Sequence, residues 1–402
     1  MSEFDFMAYG RQFPALNDEV AYLDSAATAL KPEVVIAATE AFYRHDSGNV
    51  HRSQYAAAMA LTVRYEQARR QVADWLNAPG PDSIVWTRGT TESLNLVAQS
   101  YARPRLRPGD EIIVSEAEHH ANLVPWLMVA QQTGAKVVKW PLAADLLPSP
   151  AGLARLLNDR TRLVAVSQMS NVTGGCPDLA AIIALVRRFP QAVIVLDGAQ
   201  GAVHRPPDLI NADIDFYAFS GHKLYGPTGI GVLYGKPQLL AQMPPWQGGG
   251  KMLSAAAFEG FTPMAPPQRF EAGTPNIAGV IGLGAALDWL SWQDRDGAER
   301  YSVSLADLAQ ELLSALPGFR AFRCPGSSLL SFDFAGIHHQ DIAMILAQEG
   351  IALRAGQHCA QPLMAALGVT GTLRASFAPY NTRRDVHRLA AAVEKALTLL
   401  RD

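Results

Sequence analysis

Two patterns in the sequence predict an α/β fold, with a large first domain and a smaller second one. Seven short apolar stretches, 84–86, 111–114, 135–138, 163–166, 192–196, 214–219 and 231–234, read as strands, and stretches with helical spacing separate most of them. That alternation describes a mostly parallel seven-stranded sheet covered by helices on both faces. Beyond about residue 293 the order changes to an α+β layout: helix 299–315, strand 328–334, helix 339–349, strand 351–354 and helix 383–400. The domains expected are therefore a large one over 22–292, and a small one formed by 1–21 together with 293–402. No internal repeat or low-complexity tract interrupts them.

Taken in order, residues 1–21 read as an arm in which Phe6, Tyr9, Phe13 and Leu16 can dock on a neighbouring domain. Lys31-Pro32 opens a helix, with proline where a first turn tolerates it. Residues 57–77 carry Leu61, Tyr65, Ala68, Val72 and Leu76 at helical spacing. The stretch 244–276 is rich in Gly and Pro without clear periodicity, and long irregular segments of this kind are usually functional or interfacial. Residues 277–292 read as a packed Gly/Ala-rich helix.

Composition narrows the functional classes. Of the 402 residues, 49% are apolar and 18% charged, a water-soluble balance with ample core. A net charge of −3 argues against a nucleic-acid or anionic-membrane partner. The three cysteines, Cys176, Cys324 and Cys359, are too few and too scattered for a disulfide framework or a zinc site, so a cytoplasmic location and no metal are expected. Met1-Ser2-Glu3-Phe4-Asp5 lacks a basic and then apolar leader, so no signal peptide is expected, and no apolar run is long enough to span a bilayer.

In a sheet of this kind ligands bind beyond the carboxyl ends of the strands, so the residues there are the candidates. The run 214–219 ends at Ser220-Gly221 and is followed by His222-Lys223, then Gly226-Pro227. A lysine at the mouth of a buried strand can lose proton affinity by desolvation and become a nucleophilic amine; a surface lysine after an edge strand is the alternative. After 84–86 comes Thr87-Arg88-Gly89-Thr90-Thr91-Glu92, which offers free N–H groups and two hydroxyls at a helix start, as a phosphate requires or as an ordinary N-cap supplies. After 111–114 come Glu118, His119 and His120, either metal ligands or an imidazole stacked on a flat ring. After 192–196 come Asp197 and Gln200. An acid at that place needs a cation, such as a protonated pyridine nitrogen, unless it only caps the next helix. Phosphate cradle, ring stacker, acid and amine together are the parts a phosphorylated pyridine aldehyde needs.

The C-terminal region adds a second nucleophile and an anion clamp. Cys359 follows Gly356-Gln357-His358 in a turn-like segment, where a nearby imidazolium or Arg would favour the reactive thiolate. Cys176 and Cys324 fit better as buried small hydrophobes. Arg374, in the short strand of Gly371-Thr372-Leu373-Arg374, suits bidentate binding of a carboxylate, or a structural ion pair.

These motifs resemble the cysteine desulfurases of the class V aminotransferase-like, pyridoxal phosphate-dependent group, in the branch with a short catalytic-cysteine loop. The likeness extends over essentially the whole chain: Asp24-Ser25-Ala26-Ala27, His51-Arg52-Ser53, Arg88-Gly89-Thr90-Thr91-Glu92, Glu118-His119-His120-Ala121-Asn122, Asn171-Val172-Thr173-Gly174, Asp197-Gly198-Ala199-Gln200, Ser220-Gly221-His222-Lys223, Glu271-Ala272-Gly273-Thr274-Pro275 and Arg374-Ala375-Ser376. Within that branch the chain is most similar to the cysteine sulfinate desulfinase type, with Gln357 where many relatives carry a second His.

The resemblance implies the aspartate-aminotransferase-like (type I) fold and pyridoxal 5'-phosphate carried by Lys223. Asp197 and Gln200 would hold the ring, with His120 stacked on it. Thr90, Thr91, Ser220 and His222 would hold the phosphate, with Thr274 from the second subunit of a homodimer. Asn171, Arg374, Arg354, His51 and Ala26 would line the substrate site. Lys223, Cys359 and His120 are the expected catalytic residues. Cys359 would take sulfur from cysteine as a persulfide, leave alanine, and pass the sulfur to a SufE-like acceptor protein. Cysteine sulfinate and selenocysteine would react without it. Two other readings use the same residues: an aminotransferase of the same fold with a structural Cys359, and a cofactor-free scaffold for sulfur-carrier proteins, which the retained Lys223 and Asp197 oppose.

Overall fold

A computed structural model describes residues 4–46 and 48–401. All seven expected strands form one sheet: Ile84–Thr87 (β1), Glu111–Ser115 (β2), Lys136–Trp140 (β3), Thr161–Ser167 (β4), Val193–Asp197 (β5), Phe216–Ser220 (β6) and Gly231–Gly235 (β7). Their spatial order is β1-β7-β6-β5-β4-β2-β3, and only β7 runs antiparallel to its neighbours. The strands read as unbroken apolar runs because both faces are buried. Along β4, Val164 and Val166 join the core on one face while Leu163 and Ala165 join the core on the other, and β5 and β6 alternate in the same way.

Where β7 passes the start of the helix Thr90–Leu96, Gly231 lies opposite Thr87 on one side and Ser220 on the other. A Cβ at Gly231 would stand 2.4 Å from the Cα of Gly89, a contact with backbone that no rotamer relieves. Gly231→Ala should therefore cost about 2 kcal/mol or more, within the range of overpacked cores. A lower urea midpoint with unchanged slope would show it, and an unchanged midpoint would mean that this crossing is looser than described.

The second sheet, of Phe319–Ala321 (β8), Leu329–Phe334 (β9), Arg354–Gly356 (β10) and Thr372–Ser376 (β11), has the antiparallel order β8-β9-β11-β10. Leu330, Phe332 and Phe334 pack there against the helices Arg295–Ser314, His339–Gln348 and Arg383–Arg401. The expected strand 351–354 is two strands. Ile351–Ala352 pairs in parallel with Ala21–Tyr22, and the chain then turns into β10. The arm docks by aromatic contacts, with Phe13 against Trp289, Tyr225 and Tyr380, and Phe6 stacked on Tyr301 at 5.1 Å.

The Gly/Pro-rich stretch is not wholly irregular. Leu253–Ala257 and Gly260–Pro263 form a hairpin that exposes Phe258 at its tip and Phe261 in its second strand. Its sequence gave no alternation because neither face is covered within this chain. Beyond it, Glu271 is anchored in the core: both carboxylate oxygens accept from Arg69, at 2.6 and 3.1 Å, and Oε1 also accepts the N–H of Trp86. Among the described residues no helix is long and apolar enough to cross a membrane.

Candidate active site

Beyond the ends of β1, β4, β5 and β6 lies a cavity of about 230 Å³, closed from the other side by the loop between β10 and β11. Lys223 enters it from the 3₁₀ turn Gly221–Lys223 that ends β6. The turn is held by Gly221 N–H to the Ile230 carbonyl at 2.9 Å and by Ala29 N–H to the His222 carbonyl at 3.0 Å. The Lys223 amine has no hydrogen bond or salt bridge among the described residues. Burial lowers its pKa to about 8, against the pull of Asp197 and with added repulsion from Arg374 and Arg354. Asp197, the last residue of β5, is buried, and one oxygen accepts from Ala199 N–H at 2.9 Å. Burial raises its pKa, while that N–H and Lys223 oppose the rise. Gln200 reaches the cavity beside it and donates to the Ala26 carbonyl at 2.8 Å.

Thr90, Thr91, Ser220 and His222, four of the five residues expected around a phosphate, come together at one end of the cavity. Thr90 N–H donates to Ser220 Oγ at 2.9 Å, the two hydroxyls are 2.7 Å apart, and Thr91 and His222 complete this end. Burial and the nearby Lys223 lower the pKa of His222 to about 4, so it stands neutral. Thr274 is exposed outside the cavity of its own chain, and His51 is also outside, paired with Glu66 at 2.7 Å.

The histidine pair requires a correction. The imidazole that lines the cavity is that of His119, not His120. His119 Nδ1 accepts from Ala121 N–H at 3.0 Å, and burial together with Lys223 lowers its pKa to about 4, so a neutral ring faces the cavity. His120 braces the cysteine loop instead: its N–H donates to the Cys359 carbonyl at 2.6 Å, and its Nε2 accepts from Gln361 N–H at 3.2 Å. Nothing in a His-His pair marks which ring turns inward.

Cys359 is exposed and lines the cavity, whereas Cys176 and Cys324 lie elsewhere with pKa values raised by burial. His358 and Cys359 both have left-handed backbone, φ 53° and 54°. Such residues cost about 1–3 kcal/mol each unless their surroundings hold them. Here Asn171 Nδ2 donates to the His358 carbonyl at 2.9 Å, and His358 Nε2 lies 2.8 Å from Thr372 Oγ1. Burial, with Arg374 and Arg354 nearby, lowers the pKa of His358 to about 3. His358 therefore stands neutral next to the thiol in the chain; the cations that line the cavity with Cys359 are Arg354, Arg374 and Lys223. Arg374, buried in β11, donates through Nη1 to the Asn171 carbonyl at 2.8 Å and through Nη2 to Asp24 at 3.3 Å, but its buried Nε has no partner. An anionic ligand fits that orphaned donor. Ser167, Met169, Ala27, Ala121 and Ala199 also line the space.

The family model for class-V aminotransferases matches residues 21–389. The chain belongs to the aminotransferase class-V family. Among class-V relatives, it is 65% identical to cysteine desulfurase CsdA of Escherichia coli K12 over the full length of both. It is 50% identical to a probable cysteine desulfurase of Vibrio cholerae, covering 97% of this chain and 98% of the relative. Its fold superposes on the crystal structure of CsdA with a TM-score of 0.94, covering 99% of this chain and 100% of that one. A variant of the cystine C–S lyase C-DES, whose structure holds glycine covalently linked to its pyridoxal phosphate cofactor, is 26% identical with a TM-score of 0.83, covering 95% of this chain and 98% of that one. The class-V fold is thus the α/β fold with a mostly parallel central sheet described above.

Proposed function

We propose that this class-V protein is a pyridoxal 5'-phosphate-dependent cysteine desulfurase, a sulfurtransferase that also acts on cysteine sulfinate and selenocysteine. One observation carries the reading: a half-buried, unpaired lysine, a buried carboxylate and an exposed cysteine face a single cavity. The residues fit the cofactor. Lys223 would bind it covalently, Asp197 would pair with the ring nitrogen, Gln200 with the neighbouring oxygen, and His119 would lie against the ring. Thr90, Thr91, Ser220 and His222 would take the phosphate. When bound, the cofactor supplies an electron sink at the substrate's α-carbon.

The chain's own residues do the rest. Arg374, with Asn171 and Arg354, holds the substrate carboxylate and so fixes which bond faces Lys223. Lys223, neutral in a useful fraction near pH 8, moves the α-proton. The Cys359 thiolate attacks the substrate sulfur: an S–S bond forms, the substrate C–S bond breaks, and a proton completes alanine. Cysteine plus the enzyme thiol thus gives alanine plus an enzyme persulfide, which a SufE-like acceptor removes.

The same reading makes the protein a cytoplasmic homodimer. The exposed Phe258 and Phe261 belong to the interface, and the second subunit brings Thr274 to the phosphate and His51 to the substrate side. It also makes 22–292 the cofactor-binding domain, and 1–21 with 293–402 the domain that carries the cysteine loop. Measuring alanine and persulfide from cysteine, with and without a SufE-like acceptor, tests the activity. Net amino transfer to a keto acid without sulfide would mark an aminotransferase instead. Arg374→Lys should raise KM for cysteine about tenfold to a hundredfold, the worth of one charge-assisted hydrogen-bond pair, with a smaller change in kcat. An unchanged KM would remove Arg374 from the substrate site.

A further inference from the structure

Behind the cavity wall sits a carboxylate that the reaction above does not use. Glu118 is 1% exposed and has no cationic partner among the described residues. Four donors surround it instead: Ser115 Oγ at 2.7 Å and Ser167 N–H at 2.9 Å on Oε1, and Ser167 Oγ and Asn122 Nδ2, both at 2.6 Å, on Oε2. They occupy both oxygens of the carboxyl group and tie three segments together: the end of β2, the end of β4, and the turn His120–Asn122. Burial pushes its pKa up to about 7, while these donors pull the other way. Asn122 is fixed in turn, since its Oδ1 accepts from Trp126 Nε1 at 3.0 Å. Ser167 lies in register with Asp197, and the next residue in the chain after Glu118 is His119.

We propose that Glu118 is a positioning residue for the cofactor site: its clamped carboxylate sets the imidazole of His119 at a fixed distance from the strand end that bears Asp197. This rests on the reading of the cavity as a pyridoxal phosphate pocket with His119 against the ring. Burying a carboxylate costs free energy unless every oxygen is satisfied, so its use here calls for more than filling space. A glutamine cannot replace it. In one orientation its NH₂ faces the N–H of Ser167, in the other the NH₂ of Asn122, and neither can accept.

The test is a double-mutant cycle on cofactor binding, read by absorbance titration of cofactor-free protein with pyridoxal phosphate. Glu118→Gln and His119→Ala should each weaken affinity about tenfold. The double variant should match His119→Ala within about twofold, because Glu118 acts through that ring. Ser115→Ala, which removes one donor, replaces Glu118→Gln in the cycle if the latter does not fold. Multiplying losses, or an unchanged affinity in Glu118→Gln, overturn the proposal alone. An unchanged affinity in His119→Ala overturns the ring contact and the proposal with it. If the unmodified protein binds no pyridoxal phosphate, the cofactor reading and the proposal both fall.

Discussion

Cys359→Ala should lower kcat/KM for cysteine about a thousandfold or more, which is about 4 kcal/mol of barrier, and leave most of the activity on cysteine sulfinate. The two substrates part because of their leaving groups. Sulfur leaves cysteine at the thiol level and needs a nucleophile to accept it, and Cys359 is the exposed thiol on the cavity. Sulfinate leaves as an oxidised sulfur that needs no thiol acceptor, so Lys223 and Arg374 suffice. The variant should fold normally. The side chain is exposed, and its left-handed backbone is held by neighbours, Asn171 and His120, that contact main chain rather than sulfur. Its urea midpoint should therefore match that of the unmodified protein to within about 0.5 kcal/mol. Alanine and sulfite would be measured from the two substrates side by side. Persulfide formation at the original rate in the variant would remove Cys359 from the mechanism, and equal losses on both substrates would make it a structural residue.

The strands, and with them the catalytic ends, were legible because both faces of the sheet are buried. A run such as Phe216–Ser220 then has no polar position until it meets the cavity, and the polar residue that ends it marks the site. Asp197 and Ser220 end their strands in this way. Arg374 and Cys359 were legible as chemistry, but their joining to the first group only through the family resemblance, because it depends on β11 and its loop folding back over the larger sheet. Four features left no local signal. Which of His119 and His120 faces the cavity depends on a hydrogen bond to Ala121 and a brace on a loop some 240 residues away. The hairpin at 253–263 shows no alternation, because nothing in this chain covers it. The partnerless Nε of Arg374 and the four-donor clamp on Glu118 arise from contacts between distant segments, and periodicity does not report those.

Lys223→Ala should abolish turnover, with kcat down by about ten-thousandfold or more, and yet make the cofactor-free protein more stable at neutral pH. The sign follows from the proton affinities. An unfolded lysine has its ordinary pKa of 10.5, and in the cavity burial brings it to about 8. Below pH 8 both states are protonated, and folding must desolvate an ammonium that Asp197 only partly compensates. Each tenfold change in proton affinity is worth about 1.4 kcal/mol, so removing the group relieves about 3 kcal/mol there, less the packing of its methylenes. Between pH 8 and 10.5 the folded amine is neutral while the unfolded one is still charged, and the penalty fades. The advantage of Lys223→Ala should accordingly be largest at pH 7 and close to nothing near pH 10.5. Urea midpoints of both cofactor-free proteins at the two pH values measure this directly. The same amine should trap pyridoxal phosphate under borohydride faster as pH rises towards 8 and no faster beyond it, and the variant should take no label. A variant less stable at both pH values would mean that the amine is satisfied in the cavity. A label found on any other lysine would take the chemistry away from Lys223.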